Sequence, residues 1–421
     1  MDDDSSVEDD GEVRVKRVQL PGCAPFSTWN GTIATASGCA SGRCSLQCES
    51  GDTVIIRALS GSHAQEAQSI QIEKIIPAPT ANASSFCQCW STDGHYLATA
   101  HDQRVQLYNA RSDFALVATL QLRYSVVSMD LMLSQRVDAD GDAGPEFLLV
   151  VGTAFGALLC KVQVSHDAQG TSSQDDECTR QSIRPPVLAS VLPEIPVCAV
   201  KLSNDGHTLA IGSVDGRLFL RDLAPTQNSE APPFGHQVFA KVLAAPRVTS
   251  MSFSPGNDTL VVATRKGNVY VLIRDEVRKW HLHAPCKELT VNPKPVSATS
   301  ASGSSGDAAG ATGGGNVATA MQTLVCWWGN LGSLTPSPVL AVGSRAANYN
   351  LEMVDVHSGK LLHSIQFAQS RNDVSLMATE DHHLLTGVCC LQLPNGKSAL
   401  VCYDTGAYLS IITWPFLDAL C

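Results

Sequence analysis

VCAVKLSNDGHTLAIGSVDGRLFLRDL, Val197–Leu223, reads as three short strands joined by two turns. Val197–Leu202 alternates, Asn204-Asp205-Gly206 supplies turn chemistry, and Leu209–Gly212 is a short apolar run. Asp215-Gly216 marks a second turn, after which Arg217–Leu223 alternates again. The same order returns at Val248–Leu272, VTSMSFSPGNDTLVVATRKGNVYVL, where Gly267 follows Gly216 by 51 residues, and at Phe86–Ala110, FCQCWSTDGHYLATAHDQRVQLYNA. A repeat of about fifty residues with several strands per unit predicts an all-β propeller.

Working outward, further units fall at Thr32–Leu59, Ser125–Val164, Met321–Phe367 and Gly387–Trp414, which makes seven. The first unit reads as strands Thr32–Ser37 and Asp52–Leu59 around a loop carrying Cys39, Cys44 and Cys48. Val13–Leu20, VRVKRVQL, alternates cleanly ahead of the first unit and is expected to complete the last blade, so that strands from both termini close the ring. Residues 13–421 therefore form one domain. The polar stretches Gln169–Pro186 and Ala224–Pro246 read as links, and Ser297–Ala318, SATSASGSSGDAAGATGGGNVA, reads as a flexible insertion within a blade.

Charged residues are only 16% of the 421, while glycine and proline supply 32 and 21 positions, which suits short strands and tight turns. Of a net charge of −11, seven uncompensated acids stand in the first twelve residues, which are expected to form a disordered acidic tail. The remainder is close to neutral and has no basic stripe, so binding to nucleic-acid phosphates is not expected. No apolar run reaches the roughly 18–20 residues that span a bilayer. An acidic amino terminus lacks the basic start of a secretory signal, and fifteen cysteines form no compact framework, so a reducing, cytoplasmic setting is expected.

Three groups invite a metal reading. Cys23, Cys39, Cys44 and Cys48 lack the paired short knuckles of a zinc site and read as partly buried thiols. Asp138, Asp140, Asp142 and Glu146 resemble the calcium loops of integrin-type propeller repeats, but Ala143 stands where such loops turn on glycine, which favours a solvated acidic turn. His281 and His283 alternate with no acid cluster nearby and read as strand-surface residues. Cys87 and Cys89 share one strand face and read as core.

The repeats resemble the WD-repeat superfamily from about Thr32 to Trp414, on Phe253-Ser-Pro-Gly256 and the turns Asp93-Gly94, Asp205-Gly206, Asp215-Gly216 and Lys266-Gly267. Where that family closes its third strand with Trp-Asp, this chain has Tyr108-Asn109, Arg221-Asp222 and Val354-Asp355, and the Gly-His before each first strand is missing. The departures imply a divergent propeller held by strand packing alone. The resemblance implies that loops between second and third strands meet protein partners, which assigns partner binding to His101, Asp102, Phe155, Asp215, Arg265, Lys266 and Arg345. The chain also resembles the prolactin regulatory element-binding protein family, ER-anchored exchange factors for the Sar-type small GTPase, in its small-residue loop Ser37–Gly42 and irregular stretch Leu324–His363.

No nucleophile elbow, HExxH, Walker loop or dinucleotide fingerprint occurs, so no catalytic residue, cofactor or small-molecule substrate is assigned. The expected function is a non-catalytic scaffold or adaptor in a multiprotein assembly, with guanine nucleotide exchange on a Sar-type GTPase as the alternative.

Overall fold

The structure, a computed structural model, describes residues 14–19, 33–35, 42–48, 51–59, 69–79, 86–134, 146–163, 187–223, 236–244, 247–283, 289–290, 323–328, 339–344, 350–356, 358–366, 385–393, 398–404 and 408–413. Strand β1 spans Arg14–Gln19. Blade 1 contains β2 (Ile33–Thr35), β3 (Arg43–Gln47), β4 (Thr53–Leu59) and β5 (Ser69–Ile76), and blade 2 contains β6 (Phe86–Trp90), β7 (Tyr96–His101), β8 (Arg104–Asn109) and β9 (Ala115–Gln121). Blade 3 is β10 (Val126–Ser134), β11 (Glu146–Thr153), β12 (Gly156–Gln163) and β13 (Val187–Pro193); blade 4 is β14 (Val197–Leu202), β15 (Thr208–Ser213), β16 (Arg217–Asp222) and β17 (His236–Val242). In blade 5, β18 (Val248–Phe253), β19 (Thr259–Thr264) and β20 (Asn268–Arg274) carry a divided outer edge, β21 (Trp280–Leu282) and β22 (Leu289–Thr290). Blade 6 is β23 (Thr323–Trp328), β24 (Val339–Ser344), β25 (Asn350–Asp355) and β26 (Leu361–Gln366). Blade 7 is β27 (Leu385–Gln392), β28 (Ser398–Asp404) and β29 (Tyr408–Thr413), completed by β1, whose Val15 and Val18 pair antiparallel with Ile412 and Leu409. The seven-bladed propeller and its closure by both terminal strands are as the alternation of residues 13–20 predicts.

The innermost strands β2, β6, β10, β14, β18, β23 and β27 neighbour one another around the ring. Seven hydrophobic clusters are found among the described residues, and each is one interface between adjacent blades. Alternation explains the arrangement: Leu209 and Ile211 of β15 pack towards blade 3, whereas Ala210 between them packs towards blade 5. A strand covered on both faces has no polar side, so all six residues of β15 and of β19 are buried and their sequences run apolar between a terminal Thr and a terminal Ser or Thr. Each fully buried Leu or Ile in these interfaces contributes about 1.5–3 kcal/mol.

Two glycines permit the blades to approach. Gly206 turns β14 into β15 with φ +70°, and a Cβ there would lie 2.0 Å from Met132 Cε of blade 3. Gly212 lets Val248, the first residue of blade 5, sit where a Cβ would otherwise be, 2.6 Å from the Val248 Cβ.

Strand packing is not alone in joining the blades, contrary to the expectation from the missing Trp-Asp signature. Trp90 Nε1 of β6 donates to Ser45 Oγ at 2.9 Å, and Gln88 Nε2 donates to the Ser45 carbonyl at 3.0 Å. The Leu202 amide donates to Asp130 Oδ2 at 2.7 Å, and Trp327 Nε1 donates to the Ser252 carbonyl at 3.0 Å. A hydroxyl, a carboxylate and two backbone carbonyls of one blade thus accept from the innermost strand of the next, a substitute network built from different residues.

Two further readings are corrected. Arg43–Gln47 is strand β3 rather than loop, with Cys44 and Cys48 in the blade 1–7 interface. The link read over Ala224–Pro246 contains outer strand β17, and the residues after Pro186 form outer strand β13. The acidic tail, the insertion at 297–318, Cys23, Cys39 and residues 36–41 lie outside the described residues.

Candidate functional site

In a four-stranded blade the connection from second to third strand always falls at the same end of the ring, as does the connection from one blade to the next. Among the described residues this face presents His101-Asp102, Thr153–Gly156, Ser213–Gly216 and Thr264–Gly267 from blades 2 to 5. Three of the four turns are braced by the last residue of the second strand. Thr153 Oγ1 donates to the Gly156 carbonyl at 2.9 Å and accepts from the Phe155 amide at 3.1 Å. Ser213 Oγ accepts from the Arg217 amide at 2.8 Å and also bonds the Asp215 carboxylate, and Thr264 Oγ1 donates to the Asn268 carbonyl at 3.2 Å. All three braces are buried.

The inter-blade connections are stapled to these turns by backbone bonds. The Val126 amide donates to the Asp102 carbonyl at 2.7 Å, Glu194 to Phe155 at 3.0 Å, and Val214 to Pro196 at 3.0 Å. The Arg247 amide donates to Val214 at 3.0 Å, and Arg265 to Arg247 at 3.0 Å. Four blades therefore share one rigid rim, and Asp102, Glu194 and Arg247 hold left-handed backbone to make it, with φ of 52°, 66° and 59°.

The assigned residues divide by role on this rim. Phe155 is 59% exposed and stacks on Tyr124 at 4.3 Å between ring centroids, with Arg123 over the outer ring at 5.3 Å. Asp215 is exposed and paired with Arg217 at 2.9 Å; the Ser213 hydroxyl, then the Arg217 amide and guanidinium, hold its carboxyl below the ordinary aspartate range. Lys266 is exposed and Arg265 half-buried. Asp102 is half-buried, and Arg345 lies outside the described residues.

His101 is turned inward, 4% exposed, with Nε2 at 3.0 Å from the Gly51 carbonyl of blade 1. Burial pushes its imidazole below 6.5 despite the Gly51 carbonyl and the Asp102 and Asp52 charges, which favour protonation. A histidine whose folded value is lowered binds fewer protons when native, so its contribution is present at neutral pH and is lost as pH falls below 6.5. The variant His101→Gln is expected to flatten the fall in stability below that pH, read by urea denaturation in a pH series; an unchanged pH dependence would exclude the role.

Sequence reasoning missed the partners that the staples bring in: Arg123, Tyr124, Glu194 and Arg247 belong to inter-blade connections with no repeated pattern. It also missed the cavity of about 180 Å³ at this end of the central channel, lined by innermost-strand residues of blades 2 to 5 and by Arg247. Deeper in the channel, Lys201 Nζ lies 3.1 Å from Asp130 Oδ1.

Metal chemistry finds little support here. Among the described residues no group of three or more His, Cys, Asp or Glu is arranged to hold an ion. Glu146 sits in β11 with Lys161 Nζ at 3.7 Å, and residues 138–145 of the acidic loop lie outside the described residues. His281 is exposed on β21 and His283 follows it half-buried. Burial pushes the thiols of Cys44, Cys160 and Cys198 up to about 12, which keeps them protonated and poorly nucleophilic. The ten described cysteines are accordingly expected to resist Ellman's reagent at pH 8 until denaturant is added. Rapid native labelling of Cys198 or Cys160, located by peptide mapping, would contradict that.

The family model "WD domain, G-beta repeat" matches residues 74–109, which carry β6 to β8. The crystal structure of the Myceliophteria thermophila Cps50 (Swd1) beta-propeller domain superposes with a TM-score of 0.54 at 12% identity, covering 94% of this chain and 99% of that one. A search of curated proteins by sequence finds no match. The chain is a seven-bladed β-propeller that carries one segment matching the WD repeat, at residues 74–109. No helix among the described residues is long and apolar enough to cross a membrane.

Proposed function

We propose that the protein is a non-catalytic scaffold that holds protein partners on the rim of blades 2 to 5. The observation that carries this reading is the exposed Phe155 ring packed on half-buried Tyr124 and tied by backbone staples into the face that also presents Arg247, Arg265 and Lys266. An exposed aromatic ring on a rigid loop face offers contact area at little conformational cost, the feature of interface anchors. A closed ring also has no long unpaired sheet edge at its centre, so loop variation alters recognition without altering the fold.

The test is affinity purification from the native cell with quantitative mass spectrometry, comparing wild type with Phe155→Ala and with the Arg265→Glu, Lys266→Glu double variant. Stoichiometric partners are expected to fall by about tenfold or more in both, at unchanged melting temperature. Full retention in both variants would remove the rim as the docking face. The exchange-factor reading has less to rest on, because Arg43, next to its candidate loop, is held by Glu73 through Nε at 2.8 Å and Nη2 at 2.5 Å. Co-purification of a Sar-type GTPase whose nucleotide release the protein accelerates would restore it.

A further inference from the structure

The geometry points to an acidic linear segment of a partner protein as the occupant of this rim, with an apolar side chain on the Tyr124–Phe155 pair and carboxylates over the blade 4–5 sector, one of them entering the channel mouth beside Arg247. The inference rests on the docking reading and names the chemistry of the docked segment.

Charge along the rim is divided. At the aromatic end the acids Asp102 and Glu194 stand with the exposed Arg123, so charge there is mixed; Glu194 donates its amide to Phe155 and so sits directly beside it. Across blades 4 and 5 stand Arg217, Arg247, Arg265 and Lys266, with Asp215 the acid among them, already paired with Arg217. No ion pair to Arg247 or Lys266 is present among the described residues. A cationic sector on a chain of net charge −11 is a local departure from the average field, and it draws anionic segments towards the face.

The cavity repeats that preference. Arg247 is the charged residue of its lining, no aspartate or glutamate contributes to it, and Gln88, Ser128, Thr249 and Ser250 add neutral hydrogen-bonding groups. A volume of about 180 Å³ holds several waters at roughly 30 Å³ each, room enough for one carboxylate side chain to displace them. The Arg247 backbone is fixed at the channel mouth on both sides, the amide to Val214 and the carbonyl to the Arg265 amide, each at 3.0 Å. Its planar guanidinium fork suits a carboxylate better than a lysine ammonium would. Val214, 42% exposed between cavity and cationic sector, supplies apolar contact for the segment's backbone.

The experiment uses the full chain and three labelled peptides in fluorescence polarisation: one tryptophan followed by a run of glutamates, and its glutamine and lysine counterparts. The glutamate peptide is expected to bind about tenfold or more tightly than the glutamine one, with affinity falling as NaCl is raised, and the lysine peptide more weakly still. Arg247→Gln and Lys266→Gln should each erase most of the difference between glutamate and glutamine peptides while leaving thermal melting unchanged. Phe155→Ala should weaken both peptides alike. Equal binding of the glutamate and glutamine peptides, both dependent on Phe155, would overturn the acidic preference while the docking face survives. A glutamate preference indifferent to Arg247 and Lys266 would also overturn it, as would tighter binding of a single-stranded oligonucleotide than of any peptide. Loss of the docking reading itself is read separately, from partners retained by the Phe155→Ala protein in the purification described above.

Discussion

Gly212→Ala is expected to lower stability by about 1–3 kcal/mol, the usual cost of forcing a methyl into a filled interface. A Cβ at this position would stand 2.6 Å from Val248 Cβ and 2.7 and 2.9 Å from its two γ-carbons. The obstacle is the branched root of a side chain rather than a flexible tip, and Val248 is 1% exposed within the blade 4–5 cluster, so it has nowhere to move. The loss is therefore structural, and it should appear in thermal and urea unfolding alike. The companion change Val248→Ala removes both γ-carbons and should recover part of the loss in a double-mutant cycle, with a coupling of about 0.5–3 kcal/mol. Additive effects of the two substitutions would mean that the two residues do not meet. Gly152, which holds the same place before Val197, predicts the same behaviour, whereas Gly343 meets the flexible end of Leu385 and should lose less on substitution.

Asp130→Ala should cost a comparable or larger amount, about 2–3 kcal/mol, because one carboxylate serves two donors across the blade 3–4 junction. Its Oδ2 accepts from the Leu202 amide at 2.7 Å and its Oδ1 from Lys201 Nζ at 3.1 Å. Asp130 is 6% exposed, so the alanine variant leaves a buried amide unpaired. Lys201 is 39% exposed to the water of the channel, and that solvation limits the part owed to its charge. Asp130→Asn keeps an acceptor for the amide and should lose less than alanine. Burial opposes the Lys201 charge, but the facing Asp130 carboxylate outweighs it and holds the ammonium's pKa above 10.5. A raised folded value means that the native state retains the proton longer. The contribution is thus present in full below 10.5 and declines as pH rises through the higher folded value. The stability gap between wild type and Asp130→Asn should accordingly be level from pH 7 to 9 and narrow only in strong alkali. A gap that already closes near neutrality would show that the ion pair does not form.

Much of the architecture is legible in particular residues. Asp205-Gly206, Asp215-Gly216 and Lys266-Gly267 declare their turns because left-handed backbone and side-chain bonding to nearby amides are local properties. Val13–Leu20 declares a strand by its period-two alternation, and Arg14–Gln19 of it forms the edge strand of blade 7. The outer strand β17 was hidden for the opposite reason: His236–Val242 is exposed or half-exposed along its whole length and so carries no alternation to read. Strand β3 was hidden by cysteines and flanking glycines that look like loop, although Cys44 and Leu46 are core.

Of the candidate face, the turn residues Phe155, Asp215, Arg265 and Lys266 could be located from the repeat, whereas Tyr124 and Arg247 could not. They reach the rim through amide-to-carbonyl bonds between segments from different blades, and such bonds use groups that every residue type possesses. His101 was misleading for a related reason. Its position in a turn is local, while its burial depends on Gly51, fifty residues earlier. The sequence by itself determined the repeat, its turns, its apolar middle strands and the closing strand, since each follows from φ preference or period-two burial within a few residues. Only the tertiary structure decided which loops share a rim, which cation enters the channel mouth and which hydroxyls tie one blade to the next, because those contacts join residues far apart in the chain through backbone groups that leave no mark on composition or spacing.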